Sequence, residues 1–151
     1  MKAILQRVTE ASVTIDGKVH SEIQEGLLVL LGVGEGDREQ EAELLAKKTA
    51  ELRIFSDEND KMNLSVMDIG GSIVVVSNFT LYADCSHGRR PSFMKAGAPK
   101  EANRLYEYYV RRLKQIDIKE VKTGMFGADM KVRLLNDGPV TVILDTKELK
   151  Q

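Results

Sequence analysis

The sequence predicts an α/β fold: a curled, barrel-like, mixed and largely antiparallel β-sheet with two main helices, in a single domain over residues 1–151. Three observations predict it. Apolar runs of strand length come paired by turn signals, as in "TIDGKV", where Asp16-Gly17 stands between β-branched residues. Only two segments, near 37–52 and 99–114, repeat apolar residues at helical spacing. No linker, repeat or low-complexity run divides the 151 residues, a length that one core can serve. Strands that arrive in hairpins argue against a βαβ repeat.

Residues 2–9 and 11–16 read as strands, with a hairpin at Asp16-Gly17. "LLVLLGV" (27–33) is a continuous apolar run between glycines, the signature of a strand buried on both faces. A helix is expected to start at Asp37, with Gln40 three positions on as a capping-box partner. Ala42, Leu45, Ala46, Thr49 and Leu52 form its buried stripe. "SDENDK" (56–61) is a polar turn, and "GGSIVVVSNF" (70–79) leads into another strand. Residues 82–98 are irregular and basic, so a long loop is expected. Pro99 suits the first turn of a second helix running to Lys114, with Ala102, Leu105, Tyr109 and Leu113 inward. Strands are expected near 118–123 and 130–135, then a hairpin turn at Asn136–Pro139, then "VTVILDT". In that turn Asp137-Gly138 is a hairpin signal, yet Pro139 follows where a ladder needs an N–H.

Composition excludes several classes. The longest apolar run, "GLLVLLGVG", is far short of the roughly 20 residues of a membrane span. "MKAILQRVTEAS" has no signal-peptide core. One cysteine, Cys85, excludes an internal disulfide and suits a reducing cytoplasm. Two histidines and that cysteine make a His/Cys metal site poorly supplied, and no metal or cofactor is expected. Net charge is −1, but residues 34–60 carry nine acids and four bases, while 86–115 carry eight bases and two acids. Two readings of the basic segment stand at this level: a face for a polyanion, or helical Arg and Lys that are merely solvated.

Chemistry needs a nucleophile near a base, or donors aimed at developing charge. Cys85 and His87 are two apart, but in a loop that spacing carries little, and a surface histidine is the plainer reading. His20, in a hairpin strand, reads as exposed. "SNFTLYAD" (77–84) places Ser77, Asn78 and Thr80 at the end of a buried strand. Such groups either line a site or terminate the strand. "GRRPSF" (88–93) sets Arg89 and Arg90 beside an aromatic, which suits phosphate. "MFGADMKV" (125–132) either lines an apolar pocket or forms a turn with core residues.

Taken together, "QRVTEASVTIDG", "LRIFSDENDKMNLS", "SNFTLYAD", "GRRPSF", "TGMFGADMKV" and "NDGPVT" resemble the D-aminoacyl-tRNA deacylase family, bacterial and eukaryotic type, essentially end to end. Two motifs are specific. Ser77-Asn78-Phe79-Thr80-Leu81 matches a family active-site strand reading Ser-Gln-Phe-Thr-Leu, and Asn136-Asp137-Gly138-Pro139 matches Asn-x-Gly-Pro. The resemblance implies hydrolysis of the ester joining a D-amino acid to the 3′ adenosine of tRNA, and removal of glycine from the wrong tRNA. It implies a homodimer in which a cis Gly138-Pro139 peptide enters the partner's pocket and occupies the space of an L side chain. It makes Arg7 the brace of that loop and Phe126 and Met130 pocket-lining, with main-chain groups of Ser77–Thr80 and the substrate's 2′-hydroxyl doing the chemistry. Thr80 as covalent nucleophile is the alternative, and it lacks a base nearby in sequence. Asn78 departs from the usual glutamine, and its amide reaches roughly 1.5 Å less far. A non-catalytic tRNA- or RNA-binding homodimer, using the basic segment 86–115 with "GRRPSF" on phosphate and the pocket motifs idle, is the competing reading.

Overall fold

A computed structural model describes residues 1–150, and one strand, β1 (Lys2–Ile15), organises its sheet. The expected pair of strands at 2–9 and 11–16 is this single strand. Along one edge its first half pairs antiparallel with β3 (Gly26–Gly32) and its second half with β2 (Lys18–Ile23). Asp16 and Gly17 turn the β1–β2 hairpin, both with positive φ, as the Asp-Gly signal requires. Along the other edge β1 pairs with β8 (Lys131–Asp145) over nearly its whole length.

Beyond β3 the sheet turns parallel. β6 (Ser72–Ser77) lies parallel to β3, and β7 (Glu120–Thr123) parallel to β6. Parallel neighbours require long crossovers. The first holds α1 (Glu39–Glu51) and a small ribbon of β4 (Phe55–Ser56) and β5 (Met62–Leu64). The second holds a 3₁₀ turn (Phe79–Tyr82) and α2 (Pro99–Lys114). The expectation against βαβ connections is therefore corrected: hairpins govern residues 2–32, and two crossovers govern the rest. The sheet curls until its ends meet. The Ser21 hydroxyl of β2 donates to the Thr123 carbonyl, and Lys122 Nζ of β7 donates to the Glu22 carbonyl at 2.8 Å.

Alternation along β3 and β6 builds two cores. Leu27, Val29, Leu31, Ile73 and Val75 face the helices, where Leu45, Leu105, Tyr109 and Leu113 cover them. Leu28, Val74 and Val76 face the inside of the curl with Val8, Val13 and Ile23. Both faces are dry, so the strands read as unbroken apolar runs. The buried Tyr109 and Thr49 hydroxyls lie 2.9 Å apart, and Thr49 donates onward to the Leu45 carbonyl.

Two local expectations fail, each because a distant group intervenes. Asp37 does not cap α1. Its Oδ2 accepts from the Gly34 N–H at 2.6 Å and meets the Met1 ammonium at 2.9 Å. Arg38 takes the cap position instead, and the Glu41 carboxylate accepts from its N–H at 2.7 Å. Leu52 ends just past the helix, and Ala50 takes its place in the stripe. Residues 136–139 do not form a hairpin. β8 continues in one direction through them, with Asn136 opposite Val8 and Thr141 opposite Gln6. Residues 137–140 on β8 thus face Arg7 alone on β1, an irregular bulge of four residues against one. β1 supplies an edge on both sides of the interruption, so the chain does not need to turn back.

Candidate functional site

Because β3, β6 and β7 are parallel, their carboxyl ends share one rim of the sheet, the place where open α/β sheets bind ligands. A cleft of about 860 Å³ opens there. Leu31 and Ser77 end two of the strands at its floor, Ala102 and Tyr106 of α2 form one wall, and Phe126 and Met130 line the segment after β7. Ser77, Asn78, Phe79, Phe126 and Met130 are thus brought together, as expected from the sequence. Thr80 does not line the cleft, and it is exposed.

The end of β6 explains why. The Asn78 N–H still donates to the Leu31 carbonyl at 2.8 Å, but the chain then enters the 3₁₀ turn. Asn78 Oδ1 accepts from the Thr80 N–H at 3.2 Å and from the Thr80 hydroxyl. Its amide oxygen is therefore occupied in capping its own turn. The shorter reach of asparagine is no handicap for that task. Thr80's hydroxyl is likewise committed, as the donor to Asn78 Oδ1. Among the described residues the Phe79 N–H has no protein acceptor. Tyr82 anchors the far end of the turn by lying flat on Gly34, where an added Cβ would sit 2.7 Å from its ring. Burial, with Asp37 second, pushes the Tyr82 phenol well above its ordinary value.

Two aromatic contacts complete the cleft. Phe93 meets Phe79 edge-on, with ring centroids 5.0 Å apart. Tyr106 lies 6.0 Å from Phe126, and its hydroxyl donates to the Val75 carbonyl at 3.3 Å. Burial raises the Tyr106 phenol's pKa, so it stays a neutral donor. Tyr106 falls outside the narrow apolar stripe that the sequence predicts for α2, yet the helix buries both Tyr106 and Val110. Phe93 stands out in the sequence only as a neighbour of arginines. The charged residue on the lining is Asp129, whose side chain is 85% exposed and 3.2 Å from Lys131 Nζ.

The basic loop rises beside the cleft. Asp84 and Ser92 exchange two backbone hydrogen bonds, at 2.8 and 2.9 Å, which pinch off residues 85–91. The Ser86 hydroxyl, then the Ser86 N–H and Lys95, hold the Asp84 carboxyl at about 2. Arg89 and Arg90 stand exposed on this loop and outside the cleft. Cys85 is exposed, and His87 Nδ1 lies 2.9 Å from the Ser86 hydroxyl. The Asp84–Ser86–His87 contacts hold the loop.

Arg7, Gly138 and Pro139 form a second, separate centre, and none of them lines this chain's cleft. Arg7 is 9% exposed; its Nε donates to the Asp137 carbonyl and a terminal nitrogen to the Ile54 carbonyl, each at 3.0 Å. The Asn136 amide donates to the carbonyls of Arg7 and Val140, both at 3.0 Å, spanning the bulge. Gly138 takes φ +136, and a Cβ there would lie 2.8 Å from Val140 Cγ2. The Gly138-Pro139 peptide is cis, and both residues are exposed.

Comparisons with known proteins agree with this architecture. Residues 4–145 match the family model described as D-Tyr-tRNA(Tyr) deacylase. A D-aminoacyl-tRNA deacylase of Koribacter versatilis (strain Ellin345) is 54% identical over 148 residues, covering 98% of this chain and 99% of that one. One from Thermosipho melanesiensis (strain DSM 12029 / CIP 104789 / BI429) is 54% identical over 150 residues, with 99% of each covered. A solved structure of "c-Myc DNA Unwinding Element Binding Protein" superposes with a TM-score of 0.91 at 41% identity, covering 96% of this chain and 98% of that one. The matching model and full-length relatives establish that the chain belongs to the D-Tyr-tRNA(Tyr) deacylase family.

Proposed function

We propose that the protein hydrolyses the ester between a D-amino acid and the 3′-terminal adenosine of tRNA, and rejects the L form. The observation that carries this reading is an apolar cleft lined by Ser77, Asn78 and Phe79, where the Phe79 N–H has no protein acceptor among the described residues and the one charged lining residue is the exposed Asp129. An aminoacyl ester is already activated, so positioning and a donor for the developing oxyanion supply much of what hydrolysis needs. In the proposed step water attacks the ester carbonyl and the Phe79 N–H receives the oxygen that gains charge. The C–O bond to the ribose 3′-oxygen breaks, and that oxygen takes the proton. The substrate's own 2′-hydroxyl relays it. Free tRNA and free D-amino acid leave.

The second centre supports a chiral gate. Gly138 and Pro139 point out from a braced bulge and lie outside their own cleft, so they act on the cleft of a second copy in a homodimer. Their carbonyls meet the substrate ammonium, and their backbone fills the room an L side chain needs. Glycine has no side chain and passes. Arg7 and Asn136 keep the bulge rigid, and Arg89 and Arg90 contact tRNA phosphate. This proofreading places the protein with tRNA, in the cytoplasm.

The test is release of amino acid from D-Tyr-tRNA and L-Tyr-tRNA, with Gly on a non-cognate tRNA as a third substrate. Release from the D and Gly forms is expected, and equal release from D and L would remove the gate. Release from none would favour the alternative, a non-catalytic nucleic-acid-binding homodimer. The name of the DNA-unwinding-element-binding relative points the same way.

A further inference from the structure

A second groove of about 670 Å³ adjoins the cleft. One side is a single stripe of α2: Asn103, Tyr106, Glu107, Val110, Arg111 and Lys114. Steps of three and four residues keep these six on one helix face, and 11 residues at 1.5 Å each make the stripe about 16 Å long. The other side is the segment from Thr123 to Phe126. Tyr106 and Phe126 line both spaces, so this aromatic pair stands between groove and cleft.

The groove holds two cations that form no ion pair among the described residues. Of the bases in residues 86–115, Lys95 pairs with Asp84, Arg104 with Glu39 and Glu101, and Arg112 with Glu43. Arg111 and Lys114 have no ion-pair partner among the described residues, and both are exposed. The Arg111 guanidinium lies over the Tyr108 ring, 5.5 Å from its centroid, which limits where it can swing. Met125, 51% exposed, offers an apolar face at the groove's end. Glu107, one turn before Arg111, is an acceptor suited to a base amino group or a ribose hydroxyl.

We infer that this groove seats the nucleotides that precede the terminal adenosine, with Arg111 and Lys114 holding their phosphates and Met125 packing against a base. The inference rests on the proposed reading that the cleft takes the aminoacylated adenosine. A polynucleotide whose last unit lies in the cleft must leave over one of its walls. The Tyr106–Phe126 wall leads directly into a channel with two free cations. Phosphate contacts of this kind fix register and supply affinity without reading sequence.

The test compares two substrates that share the reacting ester. One is 3′-O-(D-tyrosyl)adenosine, which has no phosphate, and the other is D-Tyr-tRNA. The variant Arg111→Gln/Lys114→Gln is expected to hydrolyse the adenosine ester like the parent protein. On D-Tyr-tRNA its KM should rise roughly tenfold with kcat kept, and the slope of log(kcat/KM) against log salt should flatten by about 1.4, two single-strand contacts at about 0.7 each. Lys47→Gln/Lys48→Gln removes the same charge from α1, which shares no residue with the groove, and should leave the tRNA KM in place. Equal losses on both substrates, or the same KM rise in the α1 variant, would overturn the inference. If the parent protein hydrolyses neither substrate, the function fails separately, and a labelled CCA trinucleotide then tests the groove by anisotropy. Weaker binding in the Arg111/Lys114 variant supports it, and unchanged binding overturns it.

Discussion

Two stretches leave regular strand geometry, residues 78–82 after β6 and residues 137–140 within β8, and an asparagine amide braces each. The two amides work in opposite senses. Asn78 uses its oxygen as an acceptor for the Thr80 backbone and hydroxyl, next to a Phe79 N–H left free. Asn136 uses its nitrogen as a donor to two carbonyls, in a bulge where Pro139 has no N–H to offer. One region leaves a backbone donor without a protein acceptor among the described residues, and the other exposes Pro139, whose backbone can only accept. An ester that gains negative charge needs the first, and an ammonium group needs the second. Under the proposed function, substrate recognition is divided between two irregularities of the backbone.

Breaking the first region should have the largest effect. Gly34→Ala drives a methyl into the Tyr82 ring that anchors the turn. A loss of about 3 kcal/mol in denaturant-measured stability is expected, with D-Tyr-tRNA hydrolysis falling at least roughly 100-fold, since each 1.4 kcal/mol is tenfold. Breaking the second region comes next. Asn136→Ala strands the Arg7 and Val140 carbonyls, and should cost roughly 1–3 kcal/mol. It should also raise hydrolysis of L-Tyr-tRNA relative to D, and a fixed D/L ratio would mean that the bulge does no selecting. Asn78→Ala removes only the turn's cap. About 1 kcal/mol of stability and up to roughly tenfold in rate should go.

Two smaller changes sharpen the contrast. Thr80→Ala keeps the backbone donors and loses a hydroxyl outside the cleft. Its rate should stay within roughly threefold, less than 1 kcal/mol of barrier, whereas complete loss in a folded variant would restore Thr80 as nucleophile. Asp129→Asn removes the carboxylate on the cleft lining. If bulge carbonyls hold the ammonium, KM should shift by less than roughly twofold. A large rise in KM would move that task to Asp129.

Much of this was legible in the sequence, and the gaps have a common cause. Pro99–Lys114 is helical as its apolar spacing and first-turn proline imply. Asp16-Gly17 turns the hairpin that its residues specify. These elements are decided by neighbours. Asn136–Pro139 has the local chemistry of a hairpin and becomes a bulge because β1, some 130 residues earlier, offers pairing on both sides. Asp37 has the chemistry of a cap and is claimed by the Met1 ammonium and Gly34. For the cleft, Ser77–Phe79, Phe126 and Met130 could be named in advance. Phe93 and Tyr106 could not, because their presence depends on where a loop and a helix come to rest against the sheet.

The pairing of β1 with β8 also bears on how the chain is made. Lys2 ends opposite Asp145, so the first strand's outer edge stays open until the last strand has left the ribosome. At typical synthesis speeds of about 5–20 residues per second, that wait is on the order of ten seconds. An unpaired 14-residue strand is a template for the wrong neighbour during that interval. The newborn chain is therefore most exposed to aggregation just before the segment carrying Gly138 and Pro139 arrives, and the strand that carries them is also the one that ends the risk.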